Sequence, residues 1–421
     1  MQNNLIKFSN GLTLTHGYID SVRSVSIGVM VGAGCINENK KNNGISHFIE
    51  HMVFKGTTTR TAFAIAEDLD SIGAMFNAYT SKQNTCFYTV SVDEYADKCM
   101  EVLSDIYFNS TFPEDEMKKE KGVVLEEINM TDDTPDDLCL DLLASEYYKG
   151  HTLGKTILGP AKNIKGFTKA QLHDYVEKYY VANNTVISIV GNLTLEQARS
   201  LVEKYFNESF SKNKLKKKAD ERCQTAPGQT IKTKRINQAN VGIAFPSLEI
   251  GARNETALKL FNVVFGDGMT SRLFQRIREE RGLVYNIFSS PSAYINDGFF
   301  TIFFASNPKS VEQAAEQIKK EIYSVIENGI TQKELERAKV QLKGGMVLGS
   351  ESTLSLMRAY GNSALFKNES FDINAKITDI ENCPMSEIKD VIDYIFDFDK
   401  VCVSYVGPKN DFDVLEYLRR K

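Results

Sequence analysis

Hydrophobic positions along the chain recur with two different spacings, one typical of strands and one typical of helices. Apolar, β-branched and aromatic residues run together or alternate in three segments that predict strands: 25–33 (VSIGVMVGA), 85–92 (TCFYTVSV) and 185–191 (TVISIVG). Helical spacing predicts four helices: 62–72, 94–109, 113–130 and 193–206. Because strands and helices do not alternate strictly, the pattern favours an α+β fold over a doubly wound parallel sheet.

The two halves of the chain resemble each other. The stretch 72–92 is similar to 281–306, and VISIVGNLTLEQARSLVEKYF is similar to VCVSYVGPKNDFDVLEYLRR. The corresponding residues are Gly73 and Gly282, Asn77 and Asn286, and Gly191 and Gly407. A self-similarity at a nearly constant offset of about half the chain length predicts an internal duplication.

A lysine-rich stretch, 211–230 (SKNKLKKKADERCQTAPGQT), separates the two halves. It has few large apolar residues and contains Pro227-Gly228, which is typical of a solvated linker. We therefore predict an N-terminal domain 1–212, a linker 213–230 and a C-terminal domain 231–421. The alternative interpretation of the lysines is a basic contact surface.

The segment GISHFIEHM contains two histidines four residues apart, with Glu50 between them. On a helix, His47 and His51 lie about 40° apart on one face, and Glu50 lies about 60° to one side of His47. Two imidazoles in this arrangement can bind one zinc ion, and the order H-x-x-E-H is the inverted form of a known zinc motif. Ser46 is expected to start the helix. The alternative is that both histidines are ordinary helix residues.

A catalytic zinc ion needs a third protein ligand and an open position. In the segment 113–130, Glu120 and Glu127 share a helical stripe with Met117 and Val124. Carboxylates on an apolar stripe are costly unless they are paired or bind a metal, so both are candidates, whereas Glu126 is expected to face solvent. The spacing alone leaves the choice between Glu120 and Glu127 open.

Composition narrows the class of protein. The chain has 50 Lys and Arg against 55 Asp and Glu, a formal net charge of −5, which argues against nucleic-acid binding. Its seven cysteines are scattered without a C-x-x-C pair, which favours reduced thiols and a cytoplasmic location. We find no signal peptide and no run of about 20 apolar residues that would span a membrane.

Three separated motifs together resemble the pitrilysin/insulinase family of zinc peptidases: HFIEHMVFKGT (47–57), EKGVVLEE (120–127) and GMTSRLFQRIREERGLVYNIFS (268–289). The chain looks most like the catalytic subunit of the mitochondrial processing peptidase and its bacterial relatives. This resemblance implies one zinc ion per chain with His47, His51 and Glu127 as ligands. It also implies that Glu50 is the general base and that Glu120 is a supporting acidic residue.

The resemblance extends to residues of the second half. Arg278 and Tyr285 match an arginine and a tyrosine that act on the substrate or on the developing oxyanion. Asp137 and Asp141 match acidic residues that meet a substrate arginine in the processing peptidase. Taken alone, Arg278 could be a solvated charge and Tyr285 a core aromatic, and the acidic run DDTPDDLCLD could be a solvated loop and helix start.

The family likeness also implies an architecture and a substrate. We expect two similar halves, each a mostly antiparallel sheet packed with helices, which face each other across a cleft. The segment FNAYTS (76–81) matches an edge strand on which extended peptides bind, and this places Asn77 and Ala78 at the substrate.

The expected activity is that of a zinc metalloendopeptidase acting on extended or unfolded peptides. One alternative is a non-catalytic scaffold or assembly subunit, and another is a metal hydrolase of small molecules. Because such chains correspond to half of the longest enzymes in the family, we also expect a homodimer or a heterodimer with a paralogous chain.

Overall fold

The structure is a computed structural model that describes residues 3–210, 213–216 and 222–420. Contacts divide it into two compact units. The first unit consists of Met1–Ile128, Lys155–Lys218 and Leu348–Asp372, and the second unit consists of Asn129–Gly154, Ala219–Val347 and Ile373–Lys421. The predicted domains 1–212 and 231–421 follow the sequence repeat, whereas each compact unit also contains one helical segment from the other half of the chain.

Each unit contains one sheet. The strands are β1 (Asn3–Lys7), β2 (Thr13–Tyr18), β3 (Ser24–Val31), β4 (Met75–Thr80), β5 (Thr85–Val92), β6 (Thr185–Gly191), β7 (Gly228–Thr233), β8 (Ala239–Pro246), β9 (Val284–Ala293), β10 (Gly298–Ser306) and β11 (Cys402–Gly407). The first sheet has the order β1-β2-β6-β3-β5-β4, and the second has the order β7-β11-β8-β10-β9. Only β2 with β6 and β7 with β11 pair in parallel among the described strands.

The helices are α1 (Ile45–Met52), α2 (Ala62–Asp70), α3 (Ala96–Phe108), α4 (Glu114–Asp133), α5 (Pro135–Tyr147), α6 (Ala161–Gly166), α7 (Lys169–Tyr179), α8 (Leu195–Val202), α9 (Glu255–Phe265), α10 (Val311–Asn328), α11 (Gln332–Gly349), α12 (Thr353–Asn362), α13 (Ile373–Asn382), α14 (Met385–Ile395) and α15 (Val414–Arg419). Two π-helical segments continue α8 and α12, at Glu203–Asn207 and Ser363–Lys367. A third, Phe274–Glu279, lies between α9 and β9. The predicted α+β class is confirmed.

The topology also confirms the internal duplication. Without β1, the first sheet has the order β2-β6-β3-β5-β4, which is the order of the second sheet once β7 to β11 are matched to β2 to β6. With β1 left out, the parallel pair stands at the corresponding end of each sheet. Gly73 and Gly282, which correspond in the repeat, share a backbone φ of +63°.

One face of each sheet is covered by a helix that is distant in sequence. In the first unit, α12 packs on β2, β3 and β6, where Met357 and Tyr360 are buried. A Cβ on Gly28 of β3 would lie 2.3 Å from the Met357 sulfur, so any larger residue there would force the Met357 side chain to move. In the second unit, α5 packs on β7, β8 and β11 in the same way, with Cys139 and Leu143 fully buried.

The predicted linker lies partly outside the described residues, which omit 211, 212 and 217–221. Its last residues, from Gly228, form the start of β7. Among the described helices, none combines the length and the apolar character that crossing a bilayer requires.

Candidate metal centre

Helix α1 carries both histidines of the motif, and its start is unusual. The residue before the helix is Gly44, whose φ of +97° lies in the left-handed region, and a Cβ there would lie 2.5 Å from the Leu158 carbonyl oxygen. The expectation that Ser46 starts the helix is wrong, because Ser46 is its second residue and its hydroxyl lies 2.8 Å from that of Tyr175.

The cap of α1 comes from a side chain six residues before Gly44 in the sequence. The buried Glu38 carboxylate accepts hydrogen bonds from the Gly44 and Ser46 N–H groups at 2.8 and 2.9 Å, and from the Asn43 amide at 2.8 Å. It therefore satisfies donors that a helix leaves unpaired at its N-terminus, and its negative charge suits the helix dipole. This anchor sets the position of the first turn of α1.

Helix α4 presents the predicted stripe. Met117, Glu120 and Val124 are buried, Glu127 is half-buried, and Glu126 is exposed. A carboxylate as buried as that of Glu120, whose side chain is only 8% exposed, needs close partners. The prediction that Glu126 faces solvent is confirmed.

His47, His51 and Glu127 converge on one point. Their potential ligand atoms all lie within 4.8 Å of one another. His47 Nε2 lies 3.6 Å from Glu127 Oε2, and His51 Nε2 lies 3.6 Å from Glu127 Oε1. Each imidazole therefore directs Nε2 towards the same carboxylate.

The geometry of these three side chains fits a zinc ion. A separation of 3.6 Å is too long for a hydrogen bond, whereas two ligands of one tetrahedral zinc ion lie about 3.4 Å apart. Glu127 Oε2 is buried and has no hydrogen-bond partner among the described residues. Two imidazole nitrogens and a carboxylate are also ligands that zinc prefers. Of the two candidates on α4, Glu127 is thus the one that could bind a metal ion together with both histidines.

Glu120 contacts Nδ1 of His51, the ring nitrogen that does not face Glu127. Its Oε2 lies 3.0 Å from His51 Nδ1, and its Oε1 lies 2.7 Å from Lys55 Nζ. A hydrogen bond from Nδ1–H to a carboxylate fixes the tautomer in which Nε2 carries the free lone pair, as is common for metal-binding histidines. Lys55 neutralises the charge that Glu120 brings into the protein.

Burial controls the charges of the site. It lowers the pKa of His47 to about 4, with a smaller contribution from the neighbouring His51, so the imidazole is neutral at pH 7. Burial raises the pKa of Glu50, and the hydrogen bond from Thr80 opposes this rise. Neutral imidazole is the form that binds a metal.

Glu50 is positioned by the neighbouring sheet. Its Oε2 accepts a hydrogen bond of 2.5 Å from the hydroxyl of Thr80, the last residue of β4. The same strand contains Asn77, which is exposed, and Ala78, which is half-buried. Because β4 pairs only with β5 among the described strands, it is an edge strand with backbone groups available for another chain.

The other predicted site residues belong to the second unit. Arg278 lies in the π-helical segment, where its guanidinium is 4.7 Å from the centre of the Phe274 ring. Tyr285 lies on β9 and is 57% exposed, so the alternative of a core aromatic is wrong. Asp137 and Asp141 lie on α5, where Asp137 is exposed and Asp141 is half-buried.

Three residues of the site were missed from the sequence: Glu38, Lys55 and Thr80. Thr80 lies within the segment FNAYTS that was singled out as an edge strand, and Lys55 follows His51 by one helical turn. No periodicity marks Glu38, because its role depends on the loop that returns its carboxylate to the start of α1. Only the fold brings these side chains to the site.

The comparisons with known proteins identify the family. Residues 18–161 match the family described as "Insulinase (Peptidase family M16)", and residues 166–342 match "Peptidase M16 inactive domain". A protein of Bacillus subtilis described as an uncharacterized zinc protease is 38% identical over 387 residues, which cover 92% of this chain and 94% of the relative. One of Rickettsia felis with the same description is 37% identical, with 87% of each chain covered. The chain belongs to the insulinase family, peptidase family M16.

Two solved structures share the fold. The structure described as a peptidase M16 inactive domain from Pseudomonas fluorescens has a TM-score of 0.91 at 20% identity, covering 97% of this chain and 98% of its own. The structure of a protease from Helicobacter pylori has a TM-score of 0.89 at 21% identity, covering 97% and 99%. At this identity the two structures show the fold. The predicted family is confirmed by the family matches and the Bacillus subtilis relative, whereas the closer likeness to the processing peptidase stays a prediction.

Proposed function

We propose that this protein is a zinc-dependent metalloendopeptidase that hydrolyses extended or unfolded peptides. The observation that carries the proposal is the convergence of His47, His51 and Glu127 within 4.8 Å, with Glu50 directly before His51 on α1. The names of the relatives in Bacillus subtilis and Rickettsia felis, which contain the words zinc protease, support the same assignment.

The roles of the side chains follow from their contacts. A zinc ion held by His47, His51 and Glu127 would polarise the scissile carbonyl and lower the pKa of a bound water towards about 7. Glu120 keeps His51 in the tautomer that leaves Nε2 available. Glu50 takes the proton of the attacking water and delivers it to the leaving amine.

The edge strand β4 is the proposed site for the peptide main chain. An extended peptide would pair with β4 at Asn77 and Ala78, so that binding depends on peptide conformation more than on sequence. A peptide held flat against the strand exposes its carbonyl groups, which suits hydrolysis of an unfolded segment. Because pairing with β4 requires an extended segment, we do not expect folded proteins to be substrates.

The residues of the second unit take their proposed roles from the family resemblance. Arg278 and Tyr285, both partly or largely exposed, are assigned to the substrate or the developing oxyanion, which a cation and a phenol stabilise. Asp137 and Asp141 are assigned to a basic side chain of the substrate. Their carboxylates suit a guanidinium.

The test is a comparison of wild type with Glu50→Gln on an internally quenched peptide, with zinc and with a chelator. Wild type should cut the peptide at internal bonds and lose activity with chelator. Glu50→Gln should bind zinc as wild type does and lose about 10²- to 10⁴-fold in kcat, the usual contribution of a general base. Full activity in Glu50→Gln would refute the assignment.

A non-catalytic scaffold is the second candidate. One observation favours it: the family description that matches residues 166–342 contains the words inactive domain. That match covers a part of the chain that lacks the His-Glu-His motif, whereas residues 18–161 contain it. Zinc binding without any peptide hydrolysis by wild type would favour the scaffold.

We also propose that the chain acts as a homodimer, or as a heterodimer with a paralogous chain, in the cytoplasm. The seven cysteines are thiols in the structure, and all except Cys223 are buried, as expected for a protein of a reducing compartment. The proposed domains are 1–212 and 231–421, joined by the linker 213–230. Light scattering that gives the mass of one chain at working concentration would refute the dimer.

A further inference from the structure

The hydroxyl of Thr80 makes one specific contact at the site. It donates to Glu50 Oε2 at 2.5 Å, a length typical of a strong hydrogen bond to a carboxylate. Its other hydroxyl neighbour is Thr85 at 3.4 Å. The Thr85 hydroxyl donates to the carbonyl of Ala33 at 2.9 Å, so its only proton is committed elsewhere. Thr85 therefore does not donate to Thr80. The single proton of Thr80 goes to Glu50, because the carboxylate oxygen is the closer acceptor, at 2.5 Å against 3.4 Å for the Thr85 hydroxyl.

The position of this hydroxyl is firmly set by the backbone. Thr80 is paired with Thr85 in the register between β4 and β5, and Thr85 is fully buried. A β-branched side chain on a strand has few accessible χ1 rotamers, so its hydroxyl stays where the strand places it. The Glu50 carboxylate, on a longer and more flexible side chain, is thus oriented by Thr80.

We propose that Thr80 is a positioning residue for the general base, an inference that rests on the proposed peptidase function. By holding Glu50 Oε2, Thr80 leaves Oε1 as the oxygen that takes the proton from water. Because Thr80 ends the edge strand that we assign to the peptide, it also fixes the base to the same strand that positions the substrate. Asn77 lies only three residues, or about 10 Å, before it along the strand.

Loss of this hydroxyl is expected to affect the chemical step more than binding. Thr80→Val keeps the shape and the strand preference of the side chain but cannot donate, so the Glu50 carboxylate gains rotational freedom. An interaction needed for proton transfer changes kcat, whereas one needed equally for substrate binding changes KM. Thr80→Ser keeps the donor and should restore the function.

The experiment measures kcat, KM, zinc content and Tm of the zinc-loaded full chain on one quenched peptide. Thr80→Val should lower kcat about 10- to 100-fold, with KM and zinc content within about twofold of wild type. Thr80→Ser should retain kcat within about threefold. The matched control is Thr15→Val on β2, since the Thr15 hydroxyl is fully buried without a hydrogen-bond partner among the described residues. Its kcat should equal that of wild type.

A double variant separates positioning from other effects. In the Glu50→Gln background, Thr80→Val should cause no further loss of kcat, because the group that it positions is no longer a base. If Thr80→Val proves unstable, Thr80→Ala takes its place, since it removes the same donor together with the γ-methyl group and inserts no new group. The Tm of each variant shows which of the two is used.

Several outcomes would overturn the inference alone: wild-type kcat in Thr80→Val, a loss confined to KM or to zinc content, equal losses in Thr80→Ser and Thr80→Val, or additive losses with Glu50→Gln. Each of these leaves zinc-dependent hydrolysis by wild type intact. Absence of hydrolysis by zinc-loaded wild type would instead refute the proposed function, and the inference with it.

Discussion

The variant Glu120→Gln tests how much of the zinc affinity depends on the contact between the Glu120 carboxylate and His51 Nδ1. Glu120 Oε2 lies 3.0 Å from His51 Nδ1, while Oε1 lies 2.7 Å from Lys55 Nζ. A glutamine has one oxygen and one NH2 group, so it can accept from only one of these donors. Either His51 loses its acceptor or the Lys55 ammonium faces another donor.

The magnitude follows from the contacts that are lost. Residues that orient a metal-binding histidine usually contribute 10- to 100-fold to metal affinity, which corresponds to about 1.4 to 2.7 kcal/mol. Because Glu120 is buried and carries the only carboxylate hydrogen bond to His51 within the described residues, we expect the upper part of this range. Zinc should still bind, since all three ligands remain.

The assay is zinc competition against a chromophoric chelator at fixed pH, which does not depend on catalysis. The control is Glu126→Gln, which removes one exposed carboxylate from the same helix and should change the Kd less than about twofold. The account is refuted if Glu120→Gln binds zinc as tightly as wild type. It also fails if Glu126→Gln loses as much affinity as Glu120→Gln.

Two further predictions concern residues outside the ligand set. Glu38→Ala should lower the free energy of unfolding by about 2 to 4 kcal/mol, because the N–H groups of Gly44 and Ser46 lose their acceptor. Denaturant titration of the metal-free protein would measure this loss, and an unchanged unfolding midpoint would contradict the prediction. The pKa of His16 is lowered from 6.5 by burial, although the contact with the Leu193 carbonyl opposes this shift. As pH falls, the unfolded chain therefore binds the proton before the folded chain does. The stability provided by neutral His16 is thus lost as pH falls below about 6.5. The stability of wild type relative to His16→Gln should then fall by up to about 1.4 kcal/mol per pH unit, and a pH-independent difference would contradict the prediction.

Much of the secondary structure could be predicted from the sequence because its elements are strongly periodic. The helix expected at 62–72 is α2, and the helix expected at 113–130 is α4, which continues to Asp133. The helix expected at 193–206 ends earlier as an α-helix, at Val202, and continues as a π-helical turn. A hydrophobic spacing of 3.6 residues does not distinguish such a local widening from a regular helix.

The assignment of α5 and α12 to the two units could not be predicted. An amphipathic pattern shows that a helix has a face to bury, but it does not show which sheet covers that face. Both helices cover sheets built largely from the other half of the sequence. Which sheet each helix covers depends on tertiary packing, such as the contact of Met357 with Gly28.

The candidate site was partly predictable for a similar reason. Local spacing placed His47 and His51 on one face of a helix, and the stripe on α4 reduced the third ligand to two carboxylates. Spacing could not rank these two, because Glu120 and Glu127 share the stripe. The fold distinguishes the two glutamates by their contacts. The Glu127 carboxylate lies near Nε2 of both histidines, whereas the Glu120 carboxylate lies near His51 Nδ1.

The most direct test of the metal centre is the zinc content of purified chains after equilibration with zinc and dialysis. We expect one zinc ion per chain in wild type and in Glu126→Gln, and loss of zinc from His47→Ala and Glu127→Gln. Circular dichroism would show that the variants remain folded. Wild type that retains no zinc, or Glu127→Gln that retains it with unchanged affinity, would contradict the account.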